Sequence, residues 1–268
     1  MRIAVRKDCN RLKGDSYWAI TTQQQRSSNK PHSKHIVCFF KDKLIDQCDT
    51  ANIVDILRKS SDIAKLKNTY FLRSHLPTIA TRLATISSLG ATWSGEDIAI
   101  ICYGMRFAKP TDDGVAGILS AMAAAVTQRL ALGLKFQSRH AAWLAIGLSG
   151  SGFDNEVHGK YLLALAGIIR NCPRSFEYQT VGNILYGLRG MSCSHTEVRD
   201  VISAVAFRIP QCQGALDSKV VGISIYGLKG MSSDHPEVRD FLRALAIRIR
   251  EHSSILDSQA IGNSIFGM

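Results

Sequence analysis

The sequence predicts an all-α fold, an α-solenoid (superhelix) of about five helix-turn-helix repeats of about 40 residues, on three observations. The segments Val181-Gly-Asn-Ile-Leu-Tyr-Gly-Leu188, Val221-Gly-Ile-Ser-Ile-Tyr-Gly-Leu228 and Ile261-Gly-Asn-Ser-Ile-Phe-Gly-Met268 recur at one constant interval. Gly190-Met191-Ser192 through Glu197-Val198-Arg199-Asp200 returns, at that same interval, as Gly230-Met231-Ser232 through Glu237-Val238-Arg239-Asp240. Apolar residues in both blocks recur at helical spacing, and a helix pair of this size cannot bury its apolar faces alone, so successive copies must stack.

Residues 1–48 precede the pattern and read as a basic segment, partly disordered or transit-like. Residues 1–44 hold ten Lys and Arg against three Asp, and the start lacks the apolar stretch of a secretory signal. The Gln23–Ser28 tract and the Arg/Lys richness are compatible with an organellar transit peptide; Asp8 and Asp15 are untypical of one, and a solvated basic leader is the plain alternative.

Residues 49–268 read as the helical repeat domain. A degenerate unit opens at Thr50-Ala-Asn-Ile-Val-Asp-Ile-Leu57, and weaker copies follow at Ile98–Met105, carrying Gly104, and Ala141–Leu148, carrying Gly147. In the clearest unit Val181, Ile184, Leu185 and Leu188 share one helical face. Asp217 and Ser218 offer N-cap oxygens to the next first helix, and Gly190 and Gly230 sit where a left-handed residue closes one. In the second helix Val198, Ile202, Val205 and Ile209 form the stripe, copied as Val238, Leu242, Leu245 and Ile249. Pro236 suits a first helical turn, and Glu197 and Glu237 lie near the positive end of the dipole. Met268 falls just after a first helix, so the domain is expected to be truncated at its C-terminus.

The net charge of +11 is unevenly spread: +7 over residues 1–44, +3 over 45–170 and +1 over 171–268. Attraction to polyanions is implied, with local clustering of cations needed in the nearly neutral repeats. The longest apolar stretch, Val115–Val126, falls well short of the roughly 20 residues a membrane helix needs, so no membrane partner is expected. Seven scattered cysteines without a C-x-x-C pair point to reduced, mostly structural thiols.

The recurring pairs Gly182/Gly187, Gly222/Gly227 and Gly262/Gly267 demand a reason, because glycine inside a helix costs about 1 kcal/mol relative to alanine. Close approach of neighbouring helices is the expected one, ahead of close approach of a ligand. Gly222–Lys229 fails as a phosphate loop, since Lys does not follow Gly227 directly and the segment is helical. Gly147-Leu-Ser-Gly-Ser151 fails as a nucleophile elbow and reads as a helix terminus. The eight histidines, with His195 and His235 at equivalent positions of successive units, cannot converge on one metal and read as capping or solvent-exposed groups. No catalytic residue, metal site or cofactor is expected, and the chain is not expected to be an enzyme.

What remains is the exposed edge of the first helices. Asn183 and Asn263 occupy a slot that is Ile223 in between, and Gln179, Lys219 and Gln259 share a slot one turn earlier. Polar side chains varying at fixed slots along a stack suit a one-repeat-per-base reader. Tyr186, Tyr226 and Phe266 could stack bases, although aromatics at this spacing are more often core. Arg189, Lys229, Arg199 and Arg239 recur as cations that could hold phosphates or simply complement helix dipoles.

Over roughly residues 95–268 these units, in particular Leu256-Asp-Ser-Gln-Ala-Ile-Gly-Asn-Ser-Ile-Phe-Gly-Met268 with Gly230-Met-Ser-Ser and Glu237-Val-Arg239, resemble the helical repeats of organellar RNA-binding proteins. These are the octotricopeptide-like and heptatricopeptide-like repeats, the repeats preceding RAP domains, and the RNA-editing substrate-binding complex (subunit six type) domain. The resemblance implies binding of single-stranded RNA in organellar RNA processing, stability or ribosomal RNA maturation, in a mitochondrion or plastid (otherwise the cytoplasm), alongside other proteins of an RNA-processing complex. The chain departs from those families in lacking a Pro-Pro-Pro-Glu-Trp signature, the shorter period of pentatricopeptide repeats and a RAP domain. A HEAT or armadillo-like protein-interaction scaffold is the alternative that unit length and near-neutral repeats allow.

Overall fold

A computed structural model describes residues 53–54, 73–88, 92–149, 156–252 and 256–267. The chain falls into two units, Met1–Lys41 and Asp42–Met268, and every described residue belongs to the second. The basic segment 1–48 and most of the degenerate unit at 50–57 lie outside the described residues; only Ile53 and Val54 of that unit are described, both helical and buried.

The described residues are helical, without strands: α1 (Leu76–Ser88), α2 (Gly95–Gly104), α3 (Val115–Ala131), α4 (Ser138–Gly147), α5 (Glu156–Asn171), α6 (Tyr178–Leu188), α7 (Thr196–Arg208), α8 (Ser218–Gly227), α9 (Pro236–His252) and α10 (Ser258–Gly267). Short 3₁₀ turns follow α2 (Met105–Phe107) and α7 (Ile209–Gln211). Packing joins each helix chiefly to the next but one. One set runs α2 on α4, α4 on α6, α6 on α8 and α8 on α10; the other runs α1 on α3, α3 on α5, α5 on α7 and α7 on α9.

Local chemistry explains where these helices start and stop. Asp217 accepts from the Val220 N–H and Asp257 from the Ala260 N–H, each at 2.7 Å, and Ser94 accepts from the Asp97 N–H at 3.0 Å. Pro236 opens α9, where no N–H is needed. Gly190 and Gly230 both adopt φ of 81°, the left-handed conformation expected after α6 and α8.

Val181, Ile184, Leu185 and Leu188 of α6 are all buried, as are Val198, Ile202, Val205 and Ile209 of the second-helix stripe. In α9 the stripe is only partly covered: Val238 and Leu245 are buried, Leu242 and Ile249 half-buried. Cys102, Cys172, Cys193 and Cys212 are free and buried. Burial pushes the Cys102 and Cys212 thiols up to about 12, so both remain protonated at neutral pH.

Two histidines are buried, His140 on α4 and His158 on α5; His140 caps the start of its helix, as the sequence allowed, whereas the burial of His158 departs from the expected exposure. His140 Nδ1 accepts from the Gln137 N–H at 3.2 Å, and its Nε2 lies 3.0 Å from Glu96 Oε2. Burial outweighs the carboxylate and lowers the pKa of this imidazole.

The glycine at the end of each of α4, α6, α8 and α10 meets backbone of the first-set helix before it. A Cβ on Gly147 would lie 2.1 Å from Cys102 O, on Gly187 2.2 Å from Ala145 O, on Gly227 2.4 Å from Leu185 O and on Gly267 2.3 Å from Ile225 O. Close helix approach is therefore the reason for these glycines. The earlier glycine of each pair behaves differently: a Cβ on Gly222 would lie 2.8 Å from Ala260 Cα, on Gly182 3.5 Å from Ser224 Oγ, and on Gly262 nothing falls within 4 Å.

Candidate functional site

The helices of the first set lie side by side in the same direction and register. At their N-terminal ends Ser218 Oγ donates to Asp257 Oδ2 at 2.6 Å, and at their C-terminal ends the closing glycines abut the preceding helix. This alignment brings equivalent slots together on one outward face, because residues i, i+4 and i+7 share a side of a helix.

Gln179, Lys219 and Gln259 are exposed in the first slot, and Asn183, Ile223 and Asn263 are half-buried in the second. Gln179 Nε2 donates to Asn183 Oδ1 at 3.1 Å, so this pair is ordered as a unit. Upstream the same slots hold Arg139 and Trp143 on α4, and Glu96 and Ile100 on α2. Arg139 donates to Glu96 Oε2 at 2.9 Å and lies over the Trp143 ring at 5.8 Å.

The third slot carries a ladder of rings. Tyr186 and Tyr226 stack with centroids 6.4 Å apart and planes at 27°, and Tyr226 and Phe266 stack at 5.9 Å and 14°. The tyrosines are half-buried and Phe266 is exposed, so the ladder belongs to the surface and not to the core. The faces of these rings turn toward one another, which leaves their edges to a ligand.

A cation accompanies the ladder. The Arg189 guanidinium lies 3.9 Å over Tyr186 and also donates to Tyr186 O at 3.2 Å. Lys229 Nζ lies 3.9 Å over Phe266. Arg106, not anticipated from the sequence, repeats the Arg189 arrangement: 3.9 Å over Tyr103, with a bond of 2.7 Å to Tyr103 O. The signal was present as an aromatic followed three residues later by a cation, in Tyr103/Arg106, Tyr186/Arg189 and Tyr226/Lys229.

Arg199 and Arg239 sit apart from this arrangement, at the start of the second-set helices. Arg199 donates to Cys193 O at 2.7 Å, Ser194 O at 2.9 Å and Thr196 Oγ1 at 3.1 Å, and approaches Glu237 at 3.6 Å. Arg239 donates to Ser233 O and Asp234 O, both at 2.7 Å. Both guanidiniums fasten the turn between first and second helices, leaving few donors for a phosphate.

Two hollows adjoin these elements. One, of about 460 Å³, lies between the C-terminal ends of α6 and α8, lined by Arg189, Ser192, Tyr226, Lys229 and the bare backbone of Gly190 and Gly230. The other, of about 540 Å³ between α1 and α3, is lined mainly by Ala, Ser and Gly with Trp93 and Gln128, and among the described residues no charged group borders it. Among the described residues no cluster of His, Cys, Asp or Glu is placed to hold a metal, and no helix is long and apolar enough to cross a membrane. No protein-family model, no curated protein and no solved structure matches the chain.

Proposed function

We propose that the chain is an RNA-binding helical-repeat scaffold and not an enzyme, its two sets of helices forming an α-solenoid of about five repeats of about 40 residues. The next-but-one packing and common register of the first-set helices support that architecture. The observation that carries the functional reading is the outward face of those helices, where polar slots run beside a ladder of rings and the cations Arg106, Arg189 and Lys229. Bases of a single strand approach Gln179, Asn183, Lys219, Gln259 and Asn263, while cations beside the ladder meet phosphates. The work it serves is organellar RNA processing, stability or ribosomal RNA maturation, as the resemblance of its repeats implies.

Fluorescence anisotropy with labelled single-stranded RNAs tests this. Affinity should fall linearly on a log-log plot against salt, with a slope of about −0.7 per phosphate contacted. Absence of binding to every sequence at low salt would sink the reading.

A protein-interaction scaffold is the second reading, favoured by Phe207 and Ile247, exposed large apolar residues at corresponding positions of α7 and α9. Nuclease treatment of a pull-down separates the two: RNA-bridged partners are released, directly bound proteins stay.

A further inference from the structure

Resting on the reading of the chain as an RNA-binding scaffold, we propose that the hollow between the C-terminal ends of α6 and α8 is a phosphate subsite, in which Arg189, Lys229 and the Ser192 hydroxyl bracket one phosphodiester of a bound strand.

The lining residues carry the argument. Two cations and the hydroxyl-bearing Ser192 and Tyr226 border the hollow, and among the described residues no carboxylate does. Its volume of about 460 Å³ falls within the roughly 300–1,000 Å³ of small-ligand sites, enough for a phosphate with part of its ribose. Gly190 and Gly230 present backbone without side chains, and a Cβ at either would meet nothing within 4 Å, so the approach is open.

The cations are ordered before any ligand arrives. Arg189 is held between the Tyr186 face and the Tyr186 carbonyl, and Lys229 rests on Phe266, each 3.9 Å from its ring centroid. Ordering a long side chain in advance removes part of the entropy an anion would otherwise have to offset on binding. A guanidinium also keeps several N–H donors after one bond to a carbonyl, and an ammonium over a ring keeps those that point away from it.

The neighbouring turn shows what distinguishes this place from its repeat. There Ser232 Oγ donates to Asp234 Oδ2 at 2.8 Å, so the equivalent hydroxyl is engaged by a carboxylate that repels anions. In the α6–α7 turn the corresponding residue is Ser194, and Ser192 faces another hydroxyl at 2.9 Å. The hollow is thus the less acidic of two otherwise matching turns.

The test compares wild type with Arg189→Gln, Lys229→Gln and Ser192→Glu in RNA anisotropy across a salt series, with inorganic tripolyphosphate followed by NMR of the arginine and lysine side chains. Each Gln variant is expected to weaken RNA about fivefold to tenfold at low salt and to flatten the slope, and the double variant Arg189→Gln/Lys229→Gln to flatten it by about 0.7, the loss of the one phosphate contact. Lys229→Arg should retain binding, and Ser192→Glu, at an exposed turn position that tolerates the change, should weaken RNA more than either Gln variant. If wild type binds RNA and all three variants bind it with the same affinity and slope, the subsite is overturned while the RNA reading stands. If wild type binds no RNA but tripolyphosphate shifts the Arg189 and Lys229 signals, and Ser192→Glu abolishes the shift, the subsite stands and the RNA reading falls. No response to either probe overturns both. Should Arg189→Gln fail to fold, the surface changes Ser192→Glu and Lys229→Gln decide the matter alone.

Discussion

At the scale of single residues, buried polar groups tie one repeat to the next. Arg208 is buried and donates to three carbonyls at the end of the preceding second-set helix: Ile169 at 2.9 Å, Arg170 at 2.8 Å and Cys172 at 2.7 Å. Arg208→Met preserves the packing of the stem but strands those acceptors, and urea unfolding should show a loss of about 3 kcal/mol. His140 supplies a pH dependence. Its pKa is lowered in the folded state by burial, against the opposing pull of Glu96, while Arg139 and Arg129 add to the lowering. The fold therefore favours the neutral ring: stability is complete above the ordinary imidazole range and is lost as pH falls through the folded value. The wild-type melting temperature should drop as pH falls below the ordinary imidazole value of 6.5, and His140→Gln should flatten part of that drop.

At the scale of elements, the paired glycines predict opposite outcomes for the same substitution, according to whether they close a helix or precede its end. Gly227→Ala would drive a methyl to 2.4 Å from Leu185 backbone, and a carbonyl within a helix cannot swing aside. A net loss of about 2 kcal/mol is expected after the gain in helix propensity is deducted. Gly262→Ala meets nothing within 4 Å and should stabilise by up to about 1 kcal/mol, so thermal melts of the two variants must move in opposite directions. Much of this level was legible in the sequence, because caps and stripes are local: Asp217, Pro236, Gly190 and Val181 act through neighbours in their own helix. What sequence reasoning missed acts from one repeat to another. Arg208 and His140 find partners in the preceding unit, and nothing within either helix reveals that a buried charge or imidazole is accommodated there. The ladder cations were legible as recurring charges, but their seating on Tyr186 and Phe266 depends on register between helices. Tyr103 and Arg106 escaped notice because the step from Gly104 to Gly147 is longer than the step from Gly187 to Gly227, which puts their unit out of phase with the clear copies.

At the scale of the whole molecule, the proposed repeat architecture makes stability a sum of intrinsic and nearest-neighbour contributions, so that it varies along the helices. Positions that are buried on α6 are uncovered on α10: Val181 and Leu185 are buried, whereas Ile261 and Ile265 are 47% and 67% exposed. Amide exchange should therefore be faster in α10 than in α4 to α7, and equal protection throughout would argue for one global unfolding unit. The glycine contacts carry a last consequence. Where main chain rests on main chain, the interval between adjacent helices is set by atoms common to every amino acid. Apolar side chains beneath can change without stretching that interval, so the outer edge of these helices carries a ruler whose graduations do not drift.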